Sequence, residues 1–330
     1  MSKKVAKAGG QAVIEGVMMR TPDYFVVAVR KPDKKIKVRS KKWTNIFPKL
    51  FKKPFLRGGL VLYEAMFNGI EALTYSFNES VEDENEKEKL SGLGIVVSIG
   101  ISFLFAMTLF VAIPHIAAYF LEQWARGESS INSIIFHTLD GIIKIIVFTL
   151  YLYLISKMKD VKRLFEYHGA EHKAIYAYEE GLPLNLENAK KFTTLHPRCG
   201  TSFMITVIVI SILLFTAFFA FVPPITGSKI LDNIIYVFIK IGLVFPIGGI
   251  SFELQSLASK FPNSKILGFM IAPGLWFQKI TTSEPDDAVL EIGVISLAKA
   301  LHLQENKAEL PKEGVEEEFE SFDEFLKSIS

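Results

Sequence analysis

Residues 93–113 read LGIVVSIGISFLFAMTLFVAI, a run without a charged side chain. At 1.5 Å per residue a helix of that length extends about 30 Å, the thickness of a bilayer's hydrocarbon core. The stretch predicts a membrane-crossing helix, and Ile131–Ile155, Phe203–Phe221 and Ile234–Gly249 predict three more. Half of the 330 residues are hydrophobic and the mean hydropathy is +0.30, while the charges gather in a few segments. The fold class expected is therefore mainly α: a polytopic membrane protein with about four transmembrane helices, a small N-terminal β-meander and cytoplasmic helices.

Charge placement gives an expected orientation. Residues 1–57 carry Lys31, Lys34, Lys35, Lys37, Arg39, Lys41, Lys42, Lys52, Lys53 and Arg57, whereas the turn from Glu122 to Ser130 holds only Arg126. The positive-inside rule puts the N-terminus in the cytoplasm, and four crossings return the C-terminus there. The loop from Lys157 to Arg198 then also lies inside, in a multi-pass protein of the cytoplasmic membrane. Met1–Arg20 lacks the apolar core of a secretory signal, so the N-terminus is expected to be retained. A net charge of +2 gives no field for nucleic acid; the basic stretch 30–57 is expected to meet anionic lipid headgroups. Cys199 is the only cysteine, which excludes an intramolecular disulfide and a four-cysteine zinc site.

The chain divides into a basic β-rich segment (1–57), an amphipathic helix with a charged linker (58–90), two crossings (91–156), a cytoplasmic loop (157–200), two crossings (201–259), an interfacial segment and cytoplasmic helix (260–304), and an acidic tail (305–330). Ala12–Met18, Tyr24–Arg30 and Lys35–Trp43 read as strands, with Pro22-Asp23 and Pro32-Asp33 at the turns. Leu60, Tyr63, Phe67, Ile70, Leu73 and Phe77 recur at helical spacing. Lys265–Lys279 is apolar but too short to span, and is expected at an interface. Pro285-Asp286-Asp287 starts a helix through Leu301, and the tail from Glu305 is expected to be flexible, with its aromatic residues docking weakly.

The chemistry concentrates in the loop. His168-Gly169-Ala170-Glu171-His172 reads H-x-x-E-H, and on a helix positions four apart share a face, so both imidazoles can reach one ion. Glu171 can act as general base or orienting group, the order found in inverted-motif zinc hydrolases. The bland alternative is an amphipathic helix at the membrane surface with both His residues in the headgroup zone; Glu166, Lys173, Glu179 and Glu180 argue against it by keeping the segment in water, although pairing among those charges would need no metal.

A third ligand is needed, and the expected topology offers three donors at the same depth. Glu253, at the inner end of the fourth crossing, is the first choice; a helix-end carboxylate paired with Lys260 or Arg198 is its structural alternative. His196 and Cys199, in His196-Pro197-Arg198-Cys199-Gly200-Thr201-Ser202, compete for the role. Cys199, in a first helical turn beside Arg198, could instead act as the nucleophile of a Cys/His pair, or simply pack. Glu179 shares the helical face but stands two turns beyond His172. Within the bilayer, Asp140 and Lys240 are expected to form an interhelical ion pair near Lys144 and His137, which a transport pathway would also use.

Gly10–Arg20 (GQAVIEGVMMR), Tyr167–Lys173 (YHGAEHK), His196–Phe203 (HPRCGTSF), Pro273–Trp276 (PGLW) and Thr281-Thr282 with Pro285–Asp287 resemble the YqhQ-like bacterial membrane proteins, the family of domain of unknown function 1385. The resemblance runs to about Leu303 and leaves out the acidic tail. It implies a predicted metal-dependent enzyme, a description that rests on the His-rich motif and fixes neither metal nor substrate.

The expected function is a metal-dependent, hydrolase-like enzyme with its site at the cytoplasmic membrane face. His168, His172 and one of Glu253, His196 or Cys199 would hold a divalent metal, Zn²⁺ being favoured by donor softness. Membrane lipids and a lipid-linked or membrane-proximal substrate are the expected partners, with homo-oligomerisation left open. The alternatives are a transporter or channel lined by Asp140, Lys144 and Lys240, and a non-catalytic membrane scaffold with a structural or sensory metal site.

Overall fold

The computed structural model describes residues 8–43, 53–55, 57–81, 92–127, 133–222, 225–261 and 264–329. Strands β1 (Gly9–Val13), β2 (Gly16–Arg20), β3 (Tyr24–Arg30) and β4 (Ile36–Lys42) form an antiparallel sheet in sequence order, and β5 (Val315–Phe319) completes it beside β4. Tyr24-Phe25-Val26-Val27-Ala28-Val29 is buried throughout because both faces of β3 are covered, whereas β4 alternates Ile36, Val38 and Ser40 inward with charged neighbours outward. One face packs on helices α5 (Lys159–Glu179) and α10 (Asp287–Asn306). The opposite face meets Ala72 and Tyr75 of α1 (Arg57–Ser80).

Two expectations are corrected here. Ala12–Met18 is not one strand but the β1–β2 hairpin: Val13 pairs with Gly16, and Glu15 takes a left-handed φ of 48° at the turn. Neither central residue of that turn, Ile14 or Glu15, is a Gly or Asn, although Gly16 closes it. The acidic tail is not flexible either; Glu316, Glu317 and Glu318 enter β5 and face Lys37 (3.3 Å), Lys299 (2.6 Å) and Lys31 (3.1 Å). Helix α11 (Phe322–Ile329) then buries Phe325 against the same core. Opposite charge on two neighbouring strands stabilises this edge, and it occupies much of the basic stretch expected to hold lipid headgroups.

The tail's attachment rests more on buried Phe319 and Phe325 than on its charges. Phe325→Ala is expected to destabilise the sheet by about 3 kcal/mol, against less than about 1 kcal/mol for Glu316→Lys, since half-exposed ion pairs contribute little. Protease cleavage between residues 305 and 315 should accelerate strongly in the first variant and little in the second.

Among the described residues, four helical segments are long and apolar enough to cross a membrane: Val96–Arg126, Ile134–Ile155, Ser202–Phe219 and Ile234–Ala258. The first combines α2 (Gly92–Met107), a π-helical turn at Thr108–Ala112 and α3 (Ile113–Arg126), so it outruns the expected end at Ile113. Pro114 stands in the first turn of α3, where its missing N–H and fixed φ are tolerated beside the locally widened helix. The others lie in α4 (Ile134–Ile155), α7 (Gly200–Phe221) and α8 (Lys229–Lys260), with the short α6 (Leu186–Lys190) between α5 and α7. Lys265–Thr281 forms α9, which packs along α7 with Gly274 against Ser202 while Ile266, Phe269 and Trp276 stay exposed.

Inside the bundle, Asp140 pairs with Lys144 on its own helix at 2.5 Å, not with Lys240 as expected. The Lys240 ammonium lies over the rings of Phe215 and Phe219, 5.9 and 5.2 Å from their centroids. An i,i+4 pair needs no interhelical register, so it forms first choice over the longer reach.

Candidate metal centre

The sheet-bearing end of the bundle brings α5, the start of α7, the end of α9 and strand β1 to one place. Helix α5 carries His168 and His172 on one face and is stopped by Gly181, at φ 72°, where Leu182 N–H reaches back to Ala177 carbonyl at 3.0 Å. Cys199 precedes the first turn of α7. One ligand atom each from His168, His172 and Cys199 lie within 4.8 Å of one another, and all three residues are buried.

The backbone fixes the tautomers of both imidazoles. His168 Nδ1 is 2.8 Å from the carbonyl of Thr281, and His172 Nδ1 bonds the carbonyl of Thr194. A carbonyl can only accept, so each Nδ1 carries the proton and each Nε2 presents a lone pair. His168 Nε2 stands 3.1 Å from Cys199 Sγ, which can donate its single proton there. His172 Nε2 is buried and has no partner in hydrogen-bonding geometry among the described residues. Burial holds the His172 imidazole below its ordinary pKa range; the neighbouring Cys199 sulfur and the Thr194 carbonyl work against that shift. An unsatisfied buried nitrogen costs roughly 1–3 kcal/mol, which a positive ion shared by the three donors would offset.

His196 lies one layer out. Its ring centroid is 5.6 Å from that of His172, its Nε2 faces Glu179 at 3.5 Å and its Nδ1 accepts the Arg198 N–H at 3.3 Å. Burial pushes its pKa down to about 4, with Glu171 opposing, so it is neutral near pH 7. Glu179 also pairs with Arg198. Glu171 is buried against β1, its carboxyl accepting the Gly10 N–H; burial raises its pKa, while His168 and His196 act the other way.

Glu253, the first choice for third ligand, is placed elsewhere. Arg57 Nε and Nη2 each bond one of its oxygens at 2.7 Å, and Phe55 N–H adds a third contact at 3.2 Å. This bidentate pair fastens the start of α1 to the end of α8, a third answer beside the Lys260 or Arg198 pairings considered. Cys199 takes the position next to the imidazoles instead, because the 196–199 loop turns the thiol inward just before α7 begins.

The long motifs thus converge. Gly169 leaves room for the backbone carbonyl of Ser283, whose N–H bonds Phe165 carbonyl at 2.9 Å. Tyr167 OH donates to Glu15 at 3.0 Å, and Arg163 reaches Asp286 at 2.9 Å. Thr194, Gln255, Gln278 and Thr281 received no supporting role from the sequence, although Thr281 stands in one of the motifs that carry the family resemblance.

Residues 53–303 match the family described as protein of unknown function (DUF1385). The uncharacterized protein YqhQ of Bacillus subtilis (strain 168) is 35% identical, the match covering 92% of this chain and 96% of the relative. No solved structure matches.

Proposed function

The chain belongs to the DUF1385 family of proteins of unknown function, and from that premise we propose that it is a metal-dependent, hydrolase-like membrane enzyme whose ion is held by His168, His172 and Cys199. The carrying observation is the pair of imidazoles locked by Thr281 and Thr194 carbonyls with both Nε2 lone pairs turned toward one thiol. Outer carbonyls that fix ring tautomers in this way are the usual company of ligating histidines. Two nitrogens and one sulfur suit Zn²⁺ among common divalent ions, and three protein donors leave a coordination position open, as catalytic sites do.

An ion held there supplies Lewis acidity for cleaving an ester or anhydride bond. The residues around it divide the remaining work. Glu171, one position before His172, is the group for proton transfer from outside the donor set. Arg198, adjacent to Cys199 and partly exposed, can exchange its Glu179 partner for an anionic substrate group. The position beside transmembrane helices favours a lipid-linked or membrane-proximal substrate in the cytoplasmic membrane, with the sheet on the cytoplasmic side, the orientation that the Lys and Arg distribution supports.

The transport reading is less well supported. Phe203, Val207 and Ile247, with Ile210, Phe215 and Leu243 around them, form an apolar layer in the bundle. Lys240 lies over Phe215 at the edge of that layer, and Asp140 is paired with Lys144.

Cobalt substitution tests the proposal. Protein purified in detergent and loaded with Co²⁺ is expected to show a thiolate-to-cobalt absorption band near stoichiometric loading, absent from Cys199→Ser. Failure of the wild-type chain to bind cobalt or zinc would remove the metal centre.

A further inference from the structure

The loop His196–Cys199 has no regular secondary structure of its own, yet the His196 N–H and the carbonyls of His196, Pro197 and Cys199 are all held by two buried glutamines from other helices. Gln278 of α9 accepts the His196 N–H at 2.7 Å and donates to the His196 carbonyl at 2.8 Å and to Ser202 Oγ at 2.5 Å. Gln255 of α8 donates to the carbonyls of Pro197 at 3.1 Å and Cys199 at 3.3 Å. Gln278 is fully buried and Gln255 nearly so. Three residues beyond Gln278, the same helix end supplies the Thr281 carbonyl that orients His168. One end of α9 therefore governs both the imidazole direction and the loop that carries the thiol.

We propose that Gln278 and Gln255 are positioning residues for the metal centre, setting the approach of Cys199 Sγ to His168 Nε2 and His172 Nε2; this rests on the reading of His168, His172 and Cys199 as ligands. A buried amide has donors and an acceptor at fixed angles, so a clamp that uses both ends of Gln278 on one residue defines the loop's rotation as well as its distance. Replacing it by a group of the same shape that lacks the donors should loosen the thiol without opening a cavity.

The test is a double-mutant cycle read by Co²⁺ titration of the full chain in detergent. Gln278→Glu keeps the acceptor for His196 N–H and loses both donors; Gln255→Ala is the independent second variant should the first fail to fold. Each is expected to raise the Kd for Co²⁺ by about 10–100-fold, the usual effect of losing a group that orients a ligand. In a Cys199→Ser background the same substitutions should change Kd by less than about 2-fold, because the sulfur they position is gone. Unfolding temperature is followed in parallel. An unchanged Kd in both variants, or an equal loss of affinity with and without Cys199, reduces the glutamines to supports of a buried loop and overturns the proposal. Wild-type protein that takes up no Co²⁺ overturns the metal centre itself, a result visible before any glutamine variant is made.

Discussion

Replacing His168 and His172 together by Ala is expected to take bound zinc from about one ion per chain to near zero, measured by elemental analysis of detergent-purified protein. The loss should be nearly complete because the two imidazoles are the donors whose lone pairs the backbone has already aimed. Removing them leaves one thiol, which cannot retain a divalent ion against a buffer chelator. Glu171→Gln is the internal control. Its carboxyl is turned to Gly10 and lies outside the group of three donors, so the variant should keep its ion while any hydrolytic activity falls. Equal metal content in wild type and double variant would sink the assignment of these residues as ligands. Loss of the ion from Glu171→Gln would instead place that carboxyl among them.

The second large effect is expected at Gly169. A side chain there meets the backbone carbonyl of Ser283, which cannot swing aside as a flexible side chain could. Gly169→Leu must therefore push α5 away from the 281–287 segment, breaking the Ser283–Phe165 hydrogen bond and the Thr281–His168 contact together. Overpacking of this kind costs about 1–3 kcal/mol or more, and here it falls on the bond that sets the His168 tautomer. The variant should lose both several degrees of unfolding temperature and its metal. Gly181→Ala serves for comparison, since a Cβ there meets nothing and only the positive φ is penalised, by roughly 1 kcal/mol. That variant should retain the ion; if the two behave alike, close packing of Gly169 is not what positions the site.

How much could be read beforehand depended on how local each signal was. Strand β3, the start of α10 at Asp286 and the end of α5 at Gly181 follow from neighbouring residues alone: an apolar run, a side chain that bonds Val289 N–H, a residue that tolerates positive φ. The β1–β2 corner at Ile14-Glu15 carried no such marker. The tail misled for a different reason: Glu316-Glu317-Glu318 looks like a solvated acidic segment until Lys31, Lys37 and Lys299 are placed opposite it. A charged strand has little preference of its own and takes its structure from its partner.

The same division runs through the site. Sequence by itself determined the membrane class, four apolar helices long enough to span a bilayer, and two histidines on one helical face, because hydropathy and helical period are properties of consecutive residues. Only the tertiary structure decided that Cys199, not Glu253, stands beside those histidines. Depth along a helix axis could be counted, and it put both candidates at the same end of the bundle. Direction around the axis could not, since it is set by what each side chain meets: Arg57 captures Glu253 from α1, while Gln255 and Gln278 turn the Cys199 loop inward from α8 and α9.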